Sequence, residues 1–546
     1  MKRLNAILCG GLIAAFACAE QRPNIVLIMV DDMGFSDIGC YGGEIDTPNI
    51  DALAKNGVKF SRFYNNSRCC PTRATLMTGL PAAATGIGRM TNSPNQHNQD
   101  YGEDSPGYRG YLNRECVTIA EALKPAGYAT LMTGKWHLGY NEPERWPLQR
   151  GFEKYYGCIS GATRFFHPQG ERGITFMNEP DPELKSTTDR PYYTTDAFTD
   201  HAIRFIQEEQ AGAGRPFFLY LAYTAPHWPV QAHEEEVEKY RGNYMIGWEK
   251  LREQRYAKQL ALGLISKDWK LSPSDESIPA WDSLDPTKQK EMDLRMAVYA
   301  AMIDRVDQNI GKLIQSLEKS GQLENTMIMF LSDNGGCHEG GMLGRGAIDP
   351  PEKRNQSTAN SIGEAWANAI NTPFRKYKTF THEGGAATPF LLSWPKRITP
   401  QADWYDSPAH IIDVMPTLLE MAGAEYPKAF NGNQIKPLGG ISFSPAFDFL
   451  PLERAEPIFS EHIGNAFVME GDWKLVGTKV AEHNGANLKK WELYNLAEDR
   501  TELNDLAKNY PERVERMSKA WKTWADEANV YPRPAGKPKP TKEEKH

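Results

Sequence analysis

Asn24-Ile25-Val26-Leu27-Ile28-Met29-Val30 runs directly into Asp31-Asp32. The apolar run from Ile25 to Val30 has strand length and no polar alternation, as expected of a strand buried on both faces. Beyond Asp32 the chain alternates helix and strand. Pro48 to Lys55 reads as a short helix and Val58 to Tyr64 as a strand. Thr118 to Leu123 is helical, Gly127 closes that helix, and Tyr128 to Thr133 returns as a strand. Pro216 to Tyr223 and Met327 to Leu331 are further strands. Between them, Val298 to Leu317 carries Met302, Val306, Ile310, Leu313 and Leu317 at helical spacings. This order predicts an α/β fold with a large, mostly parallel sheet flanked by helices.

With 546 residues the chain exceeds one ordinary core. We expect a main α/β domain over 20–452 and a small C-terminal α+β subdomain over 453–531, with a disordered Lys/Pro tail over 532–546. In the subdomain, Ala466 to Leu475 and Trp491 to Tyr494 read as strands and Tyr510 to Ala525 as a closing helix. Two stretches read as insertions, about Glu234 to Asp293 and Gly340 to Asn371. Lys2, Arg3 and the apolar stretch Ile7 to Ala17 read as an export signal over 1–19, hence a periplasmic or secreted protein; Cys18 is a weak lipidation candidate. No later segment approaches the ~20 apolar residues of a membrane span. Charged residues make up 24% and the net charge is −8, which gives no general affinity for nucleic acid or anionic lipid. Cys40, Cys116, Cys158 and Cys337 lack zinc-like spacing.

Asp31-Asp32 stands where α/β sheets place ligand-binding groups. Adjacent carboxylates repel unless a cation lies between them, though they also suit a turn. Ser332-Asp333-Asn334-Gly335 repeats that placement after its own strand, and Asn-Gly is equally a turn pair. Three carboxylates and an amide oxygen form a hard donor set, suited to Ca²⁺ or Mg²⁺ rather than zinc. Cys69-Cys70-Pro71-Thr72-Arg73 leads through Ala74-Thr75-Leu76-Met77 to Thr78-Gly79, the pattern C-x-P-x-R-x(4)-T-G; a helix starting near Pro71 accounts for the proline. Gly134-Lys135-Trp136-His137-Leu138-Gly139 closes a strand, and on an extended backbone Lys135 and His137 point the same way. His227 lies in Ala225-Pro226-His227-Trp228-Pro229 and Lys378 five residues before Glu383-Gly384-Gly385. Each of these reads alone as a packing, loop or surface residue.

In this order the motifs resemble those of the type I, formylglycine-dependent sulfatases of the alkaline phosphatase superfamily. Arg150-Gly151-Phe152 with Tyr156-Gly157, and Glu492-Leu493-Tyr494-Asn495-Leu496 with Asn504-Asp505-Leu506, extend the resemblance over nearly the whole mature chain. Tyr244, Gly247, Trp248, Leu251, Arg252, Arg255 and Gly263 resemble bacterial arylsulfatases. The resemblance implies that a formylglycine-generating enzyme oxidises Cys69 to Cα-formylglycine, an aldehyde whose hydrate is the nucleophile. It implies one Ca²⁺ per chain, held by Asp31, Asp32, Asp333, Asn334 and residue 69, with Arg73, Lys135 and Lys378 offsetting the charge of the sulfate. It assigns His227 to protonating the leaving oxygen and His137 to the formylglycine hydroxyl; His382 falls at a variable position and gets no role. Thr72, where serine or alanine is frequent, is the one departure inside the signature. The implied reaction converts a sulfated small molecule or sulfated carbohydrate to an alcohol and sulfate through a covalent sulfated intermediate. A phosphonate or phosphate ester hydrolase of the same superfamily and a silent carbohydrate-binding homologue are the alternatives.

Overall fold

The computed structural model describes residues 22–91, 100–181, 184–185, 190–485 and 487–534. The expected export signal and most of the expected tail lie outside these residues. A nine-stranded sheet runs in the order Val58–Phe60, Phe390–Ser393, Thr326–Ser332, Asn24–Val30, Phe217–Ala222, Ala129–Lys135, Lys154–Cys158, Thr175–Phe176 and Glu179–Pro180. The five strands from Thr326–Ser332 to Lys154–Cys158 are parallel, and Phe390–Ser393 joins them antiparallel. Alternate residues of Asn24–Val30 supply the two cores. Val26, Ile28 and Val30 pack with residues of the helices Thr194–Ala211 and Pro286–Lys319. On the other face Ile25, Leu27 and Met29 join Leu76, Met77, Ile119 and Leu418. That double burial is why the run carries no polar alternation.

The register of the sheet decides where chemistry can occur. Val30 pairs with Ser332, and Met29 with Ala222, which in turn pairs with Gly134. Four strands therefore end at one level, and the loops beyond them open onto the same space.

Several boundaries differ from the sequence-based expectation. Val58 to Tyr64 is two strands: Val58–Phe60 joins the large sheet, while Phe63–Tyr64 pairs with Ala409–His410. The chain turns between them at Ser61-Arg62, where Arg62 bonds Asp472 at 2.6 Å. The long helix begins at Pro286, its N-cap Asp285 accepting from the Thr287 and Lys288 N–H groups. Its first turns face solvent and so lack the apolar periodicity that marks the rest. The stretch after Glu234 is structured as well, with helices Glu234–Tyr240 and Trp248–Ala261. Ala466 to Leu475 is a hairpin of Asn465–Glu470 and Trp473–Gly477, turning at Gly471 with φ 59°. With Ile458–His462 and Trp491–Asn495 it forms a four-stranded antiparallel sheet. Val514, Met517 and Trp521 of the helix Pro511–Glu527 pack onto that sheet.

Candidate active site

Cys69 opens the helix Cys69–Thr78, every residue of which is buried. The helix begins two residues before Pro71, so the proline is its third residue rather than its first. A proline is tolerated there because N–H groups of the first turn have no intrahelical acceptor. Thr72 and Thr75 hydroxyls and the Pro71 carbonyl bond to Asn66, and the helix stops at Gly79 in the left-handed region. The Ser67 carbonyl accepts from the Thr379 N–H at 2.7 Å, tying the segment before Cys69 to the loop carrying Lys378.

The structure brings together at the strand ends all the side chains singled out from the motifs. Lys135 Nζ donates to Asp31 Oδ2 at 2.7 Å and Lys378 Nζ to Asp32 Oδ1 at 2.6 Å. Arg73 grips Asp333 Oδ2 through Nε and Nη2 at 3.0 and 2.7 Å. The Asn334 amide donates to Asp32 Oδ1 at 2.7 Å, and His227 Nε2 lies 3.5 Å from Asp32 Oδ2. All eight groups are at least 96% buried. Buried ion pairs contribute little net stability, because desolvation consumes most of their attraction. Such a density of them marks a site under functional demand.

Lys135 and His137 do not share a face in the way an extended backbone would dictate. His137 has φ 59°, so the chain leaves the strand before it. The ring nevertheless returns to Cys69: ligand atoms of Cys69, Cys70 and His137 all lie within 4.8 Å of one another. His137 Nε2 bonds the Thr91 carbonyl at 3.1 Å. Gly161 permits this placement, since a Cβ there would stand 2.5 Å from the imidazole.

The donor set suits a hard cation. Asp31 Oδ1, Asp32 Oδ2 and Asn334 Oδ1 are buried with no hydrogen-bond partner, which buried oxygens rarely tolerate without an ion or water. Carboxylate atoms of Asp31 and Asp32 and a ring nitrogen of His227 lie within 4.8 Å of one another. Asp333 stands outside that set, one oxygen on Arg73 and the other accepting from the Asp32 N–H at 3.3 Å. Burial, and next the Asp31 charge, push the Asp333 carboxyl up to about 7. Around residue 69 the field is cationic. A hydrogen bond from Cys70 holds the Cys69 thiol well below its usual range despite burial, with help from Lys135, His137 and Lys378.

Tyr220, Arg68, Glu339 and Trp228 were given no role from the sequence. Tyr220 hydroxyl meets Arg73 Nη1 at 3.3 Å. Arg68 Nη1 pairs with Glu339 Oε1 at 2.9 Å, and Glu339 accepts from Trp228 Nε1 at 2.8 Å. Arg68 adjoins the Cys69 motif and Trp228 adjoins His227, so proximity in sequence was the one available hint. His382 Nε2 faces Glu492 at 3.2 Å, in the contact with the C-terminal sheet.

Comparison with known proteins places this arrangement. The Sulfatase family model matches residues 23–424, and the model for the C-terminal region of N-sulphoglucosamine sulphohydrolase matches 375–524. An arylsulfatase of Klebsiella aerogenes is 36% identical over 455 residues, covering 81% of this chain and 95% of that protein. An uncharacterized sulfatase of Schizosaccharomyces pombe is 34% identical over 542 residues, with 94% and 95% covered. The crystal structure of Ps i-CgsB with k-i-k-neocarrahexaose superposes with a TM-score of 0.65 at 26% identity, covering 94% of this chain and 98% of that one. The chain belongs to the sulfatase family, in the alkaline phosphatase-like superfamily. It is accordingly a sulfuric ester hydrolase.

Proposed function

We propose that the chain cleaves sulfate esters through residue 69 after oxidation of Cys69 to Cα-formylglycine by a formylglycine-generating enzyme. A covalent sulfated intermediate lies on the path. The observation that supports this best is the burial of Cys69 at the first turn of a helix among Lys135, His137 and Lys378. A sulfate ester is an anion, and positioned cations lower the cost of bringing a nucleophile to it. Ca²⁺ held by Asp31, Asp32, Asp333, Asn334 and residue 69 would supply further charge stabilisation.

Lys135 and Lys378 would take sulfate oxygens while keeping their carboxylate partners, because an ammonium group has three donors. Arg73 keeps Asp333 oriented. His227 Nδ1 lies 2.6 Å from the Trp228 carbonyl and carries hydrogen there. Its Nε2 is then the nitrogen that delivers a proton to the leaving oxygen. Burial holds His227 down at about 4, so the bound substrate anion must help charge it. On His137, Nε2–H donates to Thr91 and Nδ1 has no partner. That nitrogen is free to take the proton whose loss lets the aldehyde re-form and sulfate depart.

We assign a sulfated small molecule or sulfated carbohydrate as substrate, and an exported location from the N-terminal signal over 1–19. Among the described residues no helix is long and apolar enough to cross a membrane. The test compares 4-nitrophenyl sulfate with 4-nitrophenyl phosphate, alongside hydrazide labelling of the peptide around residue 69. Sulfate turnover with labelling at residue 69 is expected. Full activity in protein that retains the Cys69 thiol, or preferred phosphate turnover, would overturn the reading.

A further inference from the structure

We propose that Trp228, Arg172 and Arg345 form a second anion subsite at the mouth of the Cys69 pocket, which takes a further sulfate or carboxylate on the departing sugar. The proposal rests on placing the reacting ester at residue 69, and it narrows the substrate to a saccharide with more than one anionic group.

The Trp228 ring is half-buried and adjoins His227. Its centroid is 5.0 Å from that of His227, and its Nε1–H donates to Glu339, the partner of Arg68 beside Cys69. A leaving group protonated from His227 is therefore within reach of this ring. Two guanidinium groups converge on it: Arg172 Cζ at 5.5 Å and Arg345 Cζ at 5.7 Å from the centroid. Among the described residues neither has a carboxylate within ion-pair range, whereas Arg68 alongside is paired. Glu339, the nearby anion, is already engaged by Arg68 and Trp228.

Neither arginine is a loose surface residue at its backbone. The Arg345 carbonyl accepts from Arg295 Nη1 at 2.8 Å and from the Ser361 N–H at 3.0 Å, anchoring it to the long helix. The Arg172 carbonyl accepts from the Thr163 hydroxyl at 2.5 Å, and its N–H donates to Gln169 at 3.2 Å. Arg172 lies between the strands Lys154–Cys158 and Thr175–Phe176 and Arg345 in the insertion from Gly340 to Asn371, yet both stand over one ring. A cation–π contact at an exposed site is a weak substitute for a counter-ion. An anion beside this ring would supply the counter-charge that each arginine lacks, and the guanidinium fork matches the paired oxygens of sulfate or carboxylate. A substrate with a single sulfate, bound at Lys135 and Lys378, leaves both arginines unused.

The test is calorimetric binding to the intact, calcium-supplied protein, read without turnover. The probes are sucrose octasulfate, trigalacturonate and inorganic sulfate, against Arg172→Ala, Arg345→Ala and the double variant, with Tm confirming folding. Sucrose octasulfate should bind the double variant at least about tenfold more weakly, the equivalent of one charge-assisted hydrogen bond. Arg345→Lys should restore only part of that loss, and inorganic sulfate should keep its affinity. A matching loss for trigalacturonate would show that carboxylates suffice; a loss for the octasulfate alone would restrict the subsite to sulfate. Unchanged octasulfate affinity, or equal losses for octasulfate and inorganic sulfate, would overturn the proposal. Absence of ester hydrolysis in the parent protein would count against residue 69 and leave the binding comparison intact.

Discussion

Three buried oxygens without partners, on Asp31, Asp32 and Asn334, show how single residues express what the site needs. Asp32→Ala should remove one of them together with the counter-charge of Lys378 and His227. Elemental analysis should find about one calcium per parent chain and much less in the variant, with turnover down by about a thousandfold or more. Stoichiometric zinc in the active parent would contradict the oxygen-donor assignment. The two histidines separate by leaving group. His227→Ala should slow alkyl sulfates far more than 4-nitrophenyl sulfate, whose departing oxygen needs little protonation. His137→Ala should show a weak leaving-group dependence and accumulate sulfate on the residue 69 peptide, visible by mass spectrometry. Identical profiles without trapped sulfate would mean the roles are misassigned. Side-chain identity at these positions was legible in the sequence because each lies in a short contiguous motif. The pairing of Lys135 with Asp31 and of Lys378 with Asp32 was not, since 104 and 346 residues separate the partners.

At the level of elements, the ends of strands do the positioning. Gly134 has φ 103°, and a Cβ there would stand 1.9 Å from the Ala222 carbonyl of the neighbouring strand. That clash is with backbone and has no cheap relief. Gly134→Ala should therefore lower Tm and, because it shifts Lys135 relative to Asp31, depress turnover more than stability alone accounts for. A variant with parent Tm and parent kcat would show that the strand end tolerates a side chain. Elements with a clear apolar period or run were legible: Asn24–Val30, Phe217–Ala222 and Thr326–Ser332 lie within a residue or two of their expected bounds. The solvent-facing start of the Pro286–Lys319 helix and the break at Ser61-Arg62 were not, since neither has a periodic apolar face to mark it.

Across the whole molecule, a buried ionic cluster joins the C-terminal sheet to the loop after Lys378. Lys474 Nζ meets Glu383 at 2.7 Å and Glu502 at 2.9 Å, and Arg500 Nε meets Glu383 at 2.8 Å. The same loop is held by Asn465 Nδ2 on the Thr379 carbonyl at 2.9 Å and by the Thr381 hydroxyl on Ala466 at 3.1 Å. Lys474→Met leaves Glu502 and part of Glu383 buried without a counter-charge, and should cost about 3–5 kcal/mol of unfolding free energy. Denaturant titration should show this as a lower midpoint; an unchanged midpoint would mean the sheet does not brace the loop through charge. The fold class was readable from the sequence, as were the candidate residues that the fold gathers around Cys69, because local periodicity and motifs a few residues long carry both. Folding was needed to show that parallel register levels four strand ends, that His137 reaches Cys69 from a left-handed backbone, and that Arg172 and Arg345 stand over Trp228. Those outcomes depend on distances between residues far apart in the chain, which packing sets and no local pattern encodes.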